Sequence, residues 1–256
     1  MATDPDRRPD ASGLRALNLI FGLIHLAQGV VFIVLSQDVD VDVSALYPTG
    51  PPGEAVTPDR LDVLFSYPLG PAVATFSLLS AFFHLLIASP WGWPRYVGEL
   101  GRCQNRLRWI EYSLSASLMI VLIAGITGIS DVAALIALFG VNASMILFGW
   151  LMETKNEPGR DVDWSPFVFG CLAGAVPWIA IAVYLFGAGD SVPTFVYGIF
   201  VSIFVFFNCF AVNQWLQYRQ VGRWRDDLFG ERVYVWLSLI AKSALAWQIF
   251  ANVLTG

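Results

Sequence analysis

The sequence predicts an all-α membrane protein: one domain over residues 1–256, seven transmembrane helices, and a short exterior β-hairpin between the first and second helices. Three observations carry this. Hydrophobic residues make up 56% of the 256 and charged residues only 14%, with a positive mean hydropathy, which is too apolar for a water-soluble domain. The apolar residues fall in blocks of about 20, the length at which a helix crosses the hydrocarbon core of a bilayer. The basic residues gather at alternate ends of those blocks.

The blocks are 14–36, 69–88, about 98–129, 132–152, 166–186, 194–218 and 233–254. No cleavable signal peptide is expected, because residues 1–13 are polar and the first block is long enough to stay as a span. Arg7, Arg8, Arg15, Arg95, Arg102, Arg106, Arg108, Lys155, Arg160, Arg219, Arg223, Arg225 and Arg232 fall at one set of ends, and Arg60 alone at the other. The positive-inside rule then puts the N-terminus in the cytoplasm and, after seven spans, the C-terminus outside the cell membrane. A net charge of −5 with basic residues spread over helix ends gives no case for nucleic acid. Cys103, Cys171 and Cys209 lack metal-ligand spacing and read as small apolar fillers.

In chain order, the first span carries His25. The exterior segment 37–67 then alternates strictly in Asp38-Val-Asp-Val-Asp-Val43 and has turn chemistry in Tyr47-Pro-Thr-Gly-Pro-Pro-Gly53, hence the hairpin. Its aspartates read as a solvated strand face, because the glycine and terminal glutamate of a calcium loop are missing. The second span places Ser80 and His84 four apart on one helix face. The third holds Glu111, which reads as the only carboxylate well inside a span. The fourth brings Asn142, Met145 and Ile146; the fifth Gly170 and Gly174, a close-packing pair, then Pro177 and Trp178; the sixth Phe204, Phe207 and Gln214 near one face.

The seventh span is Trp236-Leu-Ser-Leu-Ile-Ala-Lys-Ser-Ala-Leu-Ala-Trp247, with Lys242 near mid-bilayer and Ser238 one turn earlier. A charge at that depth costs at least a few kcal/mol and needs a partner. Glu111 is the candidate, and matching the two in depth requires the third helix to start near residues 98–101, with Arg108 partly buried one turn towards the cytoplasm. Such a pair is either a structural or transported-ion site, or the mark of a desolvated amine that condenses with an aldehyde. Hydroxyls and aromatic walls around it suit a long polyene.

Trp109-Ile-Glu-Tyr-Ser-Leu-Ser, Phe139-Gly-Val-Asn-Ala-Ser-Met-Ile-Leu-Phe-Gly-Trp150 and Leu237-Ser-Leu-Ile-Ala-Lys-Ser-Ala-Leu-Ala-Trp-Gln-Ile-Phe250 resemble the heliorhodopsins, seven-helix retinal proteins inverted in the membrane relative to ordinary microbial rhodopsins. The resemblance covers nearly the whole chain after the first ten residues. It implies a rhodopsin-like bundle with all-trans retinal on Lys242 as a protonated Schiff base, Glu111 as counterion and Ser238 hydrogen-bonded nearby. It further implies a chromophore lined by Tyr112, Ser115, Met119, Asn142, Ile146, Trp178, Phe204, Phe207 and Gln214. His25, His84 and Ser80 match a polar cavity on the cytoplasmic side, with Arg108 close to it, and the family also implies a homodimer. Ala116 stands where many members have serine.

Ordinary light-driven pumps carry a second acid four residues before the lysine and a donor acid eleven residues after the first; those positions are Ser238 and Leu122. The expectation is therefore a photoreceptor acting on a downstream signalling partner. A light-driven pump or channel, or a retinal-free transporter using Glu111 and Lys242, is the competing reading. An enzyme is not expected, because the sequence offers no nucleophile-base constellation and no metal set.

Overall fold

Polar side chains at the ends of the apolar blocks set where the helices begin. Asn105 Oδ1 accepts from Arg108 N at 3.0 Å, Asp131 Oδ1 from Ala134 N at 2.9 Å and Asp226 Oδ1 from Leu228 N at 3.0 Å, each satisfying an amide that a helix start leaves free. The structure is a computed structural model and describes residues 11–48, 50–54 and 57–254. Its helices are α1 (Ser12–Leu35), α2 (Leu69–Ala88), α3 (Trp93–Leu100), α4 (Arg106–Ile126), α5 (Val132–Lys155), α6 (Ser165–Gly187), α7 (Thr194–Tyr218) and α8 (Asp227–Ile249), the last continuing into a π turn over Phe250–Leu254.

All except α3 are long and apolar enough to cross a membrane, which makes seven spans among the described residues. The outer surface of the bundle is apolar: Ile20, Val34, Ile136, Leu172 and Val183 are exposed, whereas Asn18, His25, Ser77, Ser80 and Ser115 point inwards. That inversion is what hydrocarbon surroundings select, since only lipid leaves such side chains uncompensated by water. Helix α1 packs on α2, α2 on α4, α4 on α5, α5 on α6 and α7 on α8, with α8 closing back onto α1 and α2. Helix α6 meets α7 through Trp178, whose ring stands edge-on to Phe200, Phe204 and Phe207.

The hairpin forms as expected: β1 (Asp40–Leu46) pairs antiparallel with β2 (Leu61–Pro68). Asp38, Asp40 and Asp42 are exposed while Val39, Val41 and Val43 turn towards the bundle, so the aspartates do form a solvated face. The register shifts between Val43 and Ser44, and the bulge lets Ser44 bond Ser130 through backbone (2.9 Å) and hydroxyl (2.8 Å), tying the hairpin to the α4–α5 turn. Thr49 of the turn, and Arg7 and Arg8 of the charge pattern, lie outside the described residues.

The third span departs from expectation. It begins at Arg106 and not near residues 98–101, because Cys103 takes a left-handed conformation (φ 55°) and the Asn105 cap restarts the helix after the separate short α3. Helix α8 in turn starts at Asp227, six residues earlier than the apolar block. Lys242 thus lies fifteen residues into α8 and Glu111 only five into α4. They still meet, with the long lysine stem leaning back about one turn to the level of Ser238.

Candidate functional site

Ser238 and Lys242 are one turn apart on the buried face of α8, and their side chains join: Lys242 Nζ donates to Ser238 Oγ at 2.9 Å. The same ammonium donates to Glu111 Oε1 at 2.6 Å, and that oxygen also accepts from the Ser80 hydroxyl at 2.7 Å. Lys242 is 3% exposed and Glu111 4%, so the pair is removed from water on all sides. Desolvating both ions is costly, and either left alone would be an uncompensated buried charge, which is why an opposite charge and two hydroxyls converge there.

Beside the amine lies a cavity of about 300 Å³, at the lower end of the usual range for small-molecule sites. Tyr112 and Met119 from α4, Ile146 from α5, Trp178 from α6, Phe204, Phe207 and Gln214 from α7, and Ser238 and Lys242 from α8 all line it. Ala116 is on the same wall. Two glycines make the room: a Cβ at Gly149 would run into the Trp109 ring, and one at Gly174 into the Met145 sulfur. Gln214 closes one end by donating to Gly149 O at 3.1 Å. Ser115 and Asn142 are buried behind these walls, Asn142 donating to Ser117 Oγ at 3.1 Å. An apolar and aromatic cavity with a buried amine in its wall fits an aldehyde-bearing polyene.

On the α1–α2 side of the pair, His25 and His84 stack at 5.7 Å, and His84 Nδ1 lies 2.7 Å from Asn18 Oδ1. Neither ring nitrogen of His25 has a hydrogen-bond partner among the described residues, nor has Ser77 Oγ. His25 and His84 thus stand side by side, with Ser80 one turn before His84 on α2 and bonded to Glu111.

Arg108 is held by other partners. It is 6% exposed and its guanidinium is held between Glu153 of α5 and Glu231 of α8, with the Tyr234 ring 4.0 Å from Cζ. Asn105 Nδ2 and Tyr96 OH donate to Glu231 at 2.8 and 2.9 Å. Glu111 is consequently not the only carboxylate buried in a span: Glu153 and Glu231 are each 4% exposed. They sit in the end turns of their helices, where charges usually face water. The signal that points to them is Arg108 itself, because a buried guanidinium demands carboxylates, although many acids stand at that end and the sequence does not say which two.

Outside the spans, burial and then Glu231 hold the Tyr96 hydroxyl well above its ordinary pKa. Burial and the Asp227 carboxylate, which accepts from Cys103 Sγ at 3.0 Å, push that thiol up to about 12, so Cys103 remains a protonated filler.

A seven-helix bundle with a buried lysine–carboxylate pair at the mouth of an aromatic cavity defines a membrane-embedded retinal protein of the rhodopsin type. The sequence model of the Heliorhodopsin family matches residues 14–254, and the chain belongs to that family. Among solved structures, the light-driven proton pump LR (Mac) from Leptosphaeria maculans is similar with a TM-score of 0.62, covering 95% of this chain and 96% of its own at 13% identity, a likeness of fold alone. No curated protein sequence matches.

Proposed function

We propose that this protein is a light sensor, with all-trans retinal on Lys242 as a protonated Schiff base and Glu111 as its counterion. The observation that carries the reading is the single carboxylate at the lysine: Ser238 and Leu122 occupy the places of the two further pump acids, and Leu122 is buried in the apolar core. Bound retinal supplies light absorption and the isomerisation that turns the Lys242 nitrogen away from Glu111. The chain supplies the rest. Glu111 and the Ser238 hydroxyl stabilise the positive nitrogen in the dark. Ser80, His84 and His25 form the polar region that receives the proton and returns it to the same nitrogen, so that no net charge crosses the membrane. Tyr112, Met119, Ile146, Trp178, Phe204, Phe207 and Gln214 hold the polyene; Ser115 and Asn142 support its walls.

In this reading the protein is a homodimer in the cell membrane, with a cytoplasmic N-terminus and an extracellular C-terminus, and passes its signal to a downstream partner without catalysing a reaction. The test against the pump or channel reading is illumination of cells loaded with retinal. No sustained photocurrent and no protonophore-sensitive change of external pH are expected, and a reproducible one would replace the sensor by a transporter.

Glu111→Gln keeps the shape and removes the charge. A tenfold change in the protonation equilibrium of the nitrogen corresponds to about 1.4 kcal/mol of lost charge stabilisation. The variant is expected to convert to a near-ultraviolet form at lower pH than the parent, with the remaining visible band moved to the red. An unchanged titration and spectrum would show that Glu111 is not the counterion.

A further inference from the structure

Glu111 and Tyr112 are consecutive on α4, about 100° apart around the helix, and both address the lysine nitrogen. Lys242 Nζ stands over the face of the Tyr112 ring, 4.9 Å from its centroid. That lies within the range at which the negative face of an aromatic quadrupole attracts a cation, and the interaction is strongest where water is excluded. Tyr112 is 6% exposed. Its ring is fixed in this attitude: the hydroxyl donates to Tyr234 O at 2.9 Å, and Phe210 and Trp109 stand edge-on to it at 5.3 and 6.5 Å. A buried tyrosine hydroxyl takes a partner in any setting; what a mere wall for a polyene does not need is the ring face turned to the amine.

We propose that Tyr112 is a second stabiliser of the positive charge on the Lys242 nitrogen, acting through its ring face, with the Tyr234 carbonyl as the anchor that orients it. This rests on the reading of Lys242 as the retinal linkage and adds to it. The two stabilisers differ in kind. Glu111 is neutralised by a proton, whereas the ring cannot be, so Tyr112 continues to favour the protonated nitrogen after the carboxylate has been discharged. The other groups facing the nitrogen are the Ser238 hydroxyl on α8, Ser80 and His84 on α2, and His25 on α1; Arg108 lies beyond Tyr112 in its own cluster with Glu153 and Glu231.

The test is the pH at which the retinal-loaded protein converts from its visible to its near-ultraviolet form, measured for Tyr112→Phe, Tyr112→Leu and a series of progressively fluorinated phenylalanines at 112. Fluorine empties the ring face of negative charge while leaving its bulk nearly unchanged. The midpoint is expected to fall stepwise with fluorination, by about half to one and a half pH units over the series, and Tyr112→Phe to move it much less than Tyr112→Leu. The fluorinated series should retain its slope in a Glu111→Gln background. A flat series in coloured protein overturns the proposal, as does a Tyr112→Phe effect equal to that of Tyr112→Leu, which would assign it to the hydroxyl. If Tyr112→Leu fails to take up retinal, the fluorinated series alone decides. Absence of colour in the unsubstituted protein would instead remove Lys242 as the linkage.

Discussion

Lys242→Ala is expected to stay colourless when all-trans retinal is added, because the amine proposed to bond the chromophore is gone. The chain should still insert, since alanine suits the span better than lysine does. The substitution also leaves Glu111 buried without its cation, retaining only the Ser80 hydroxyl. Removing one partner of a buried ion pair typically costs about 3–5 kcal/mol. The colourless protein should therefore be less heat-stable than unloaded parent, and adding Glu111→Gln should recover most of the loss. Absorbance and thermal unfolding of the parent, the single variant and the double variant check both parts. A visible band in Lys242→Ala would remove the assigned linkage.

Arg108→Ala is expected to be the most destabilising single change at the opposite end of the site. The guanidinium is the shared partner of two carboxylates on two other helices, so its loss leaves Glu153 and Glu231 buried with only the bonds from Asn105 and Tyr96. A loss of about 3–5 kcal/mol is expected, lowering the unfolding temperature by roughly 10 °C. The charge mismatch, and not the lost volume, is the cause. Arg108→Met combined with Glu153→Gln and Glu231→Gln should thus approach parental stability, because exchanging a whole buried ion cluster for neutral groups is often close to neutral. A triple variant as unstable as Arg108→Ala would show that the arginine acts through its packing on Trp109 and Tyr234.

The spans were legible in the sequence because hydrocarbon acts on every side chain at once: an apolar block of sufficient length has no other place to go. Residues 69–88 and 194–218 are helices over their full predicted length. The hairpin was legible from a period of two, and the pairing of Lys242 with Glu111 from two opposite charges where charge is costly. What stayed hidden depended on exact helix starts. A backbone turn at Cys103 and the Asn105 cap move the start of α4 to Arg106; the polar run 99–108 marks that break, but matching Glu111 to the depth of Lys242 draws the expected start back across it. Arg108 then falls in the first turn of α4, where it is buried by pairing with Glu153 and Glu231, two acids that in the sequence look like ordinary helix-end charges. Which aromatic face meets the amine was likewise beyond reach, because it depends on a single bond from Tyr112 to a carbonyl of another helix.

Attachment of retinal to one particular nitrogen is directly measurable in this chain, since Lys155 and Lys242 are its only lysines. Lys155 is exposed and paired with Asp163 at 2.7 Å, far from the aromatic cavity in chemical character. Purified protein should be given all-trans retinal, its absorption spectrum recorded, the linkage reduced with borohydride, and the peptides analysed by mass spectrometry. Expected is a visible band that disappears on reduction, with the added mass on the peptide containing Lys242. No visible band, or an adduct on Lys155 or the N-terminal amine in place of Lys242, would contradict the assignment.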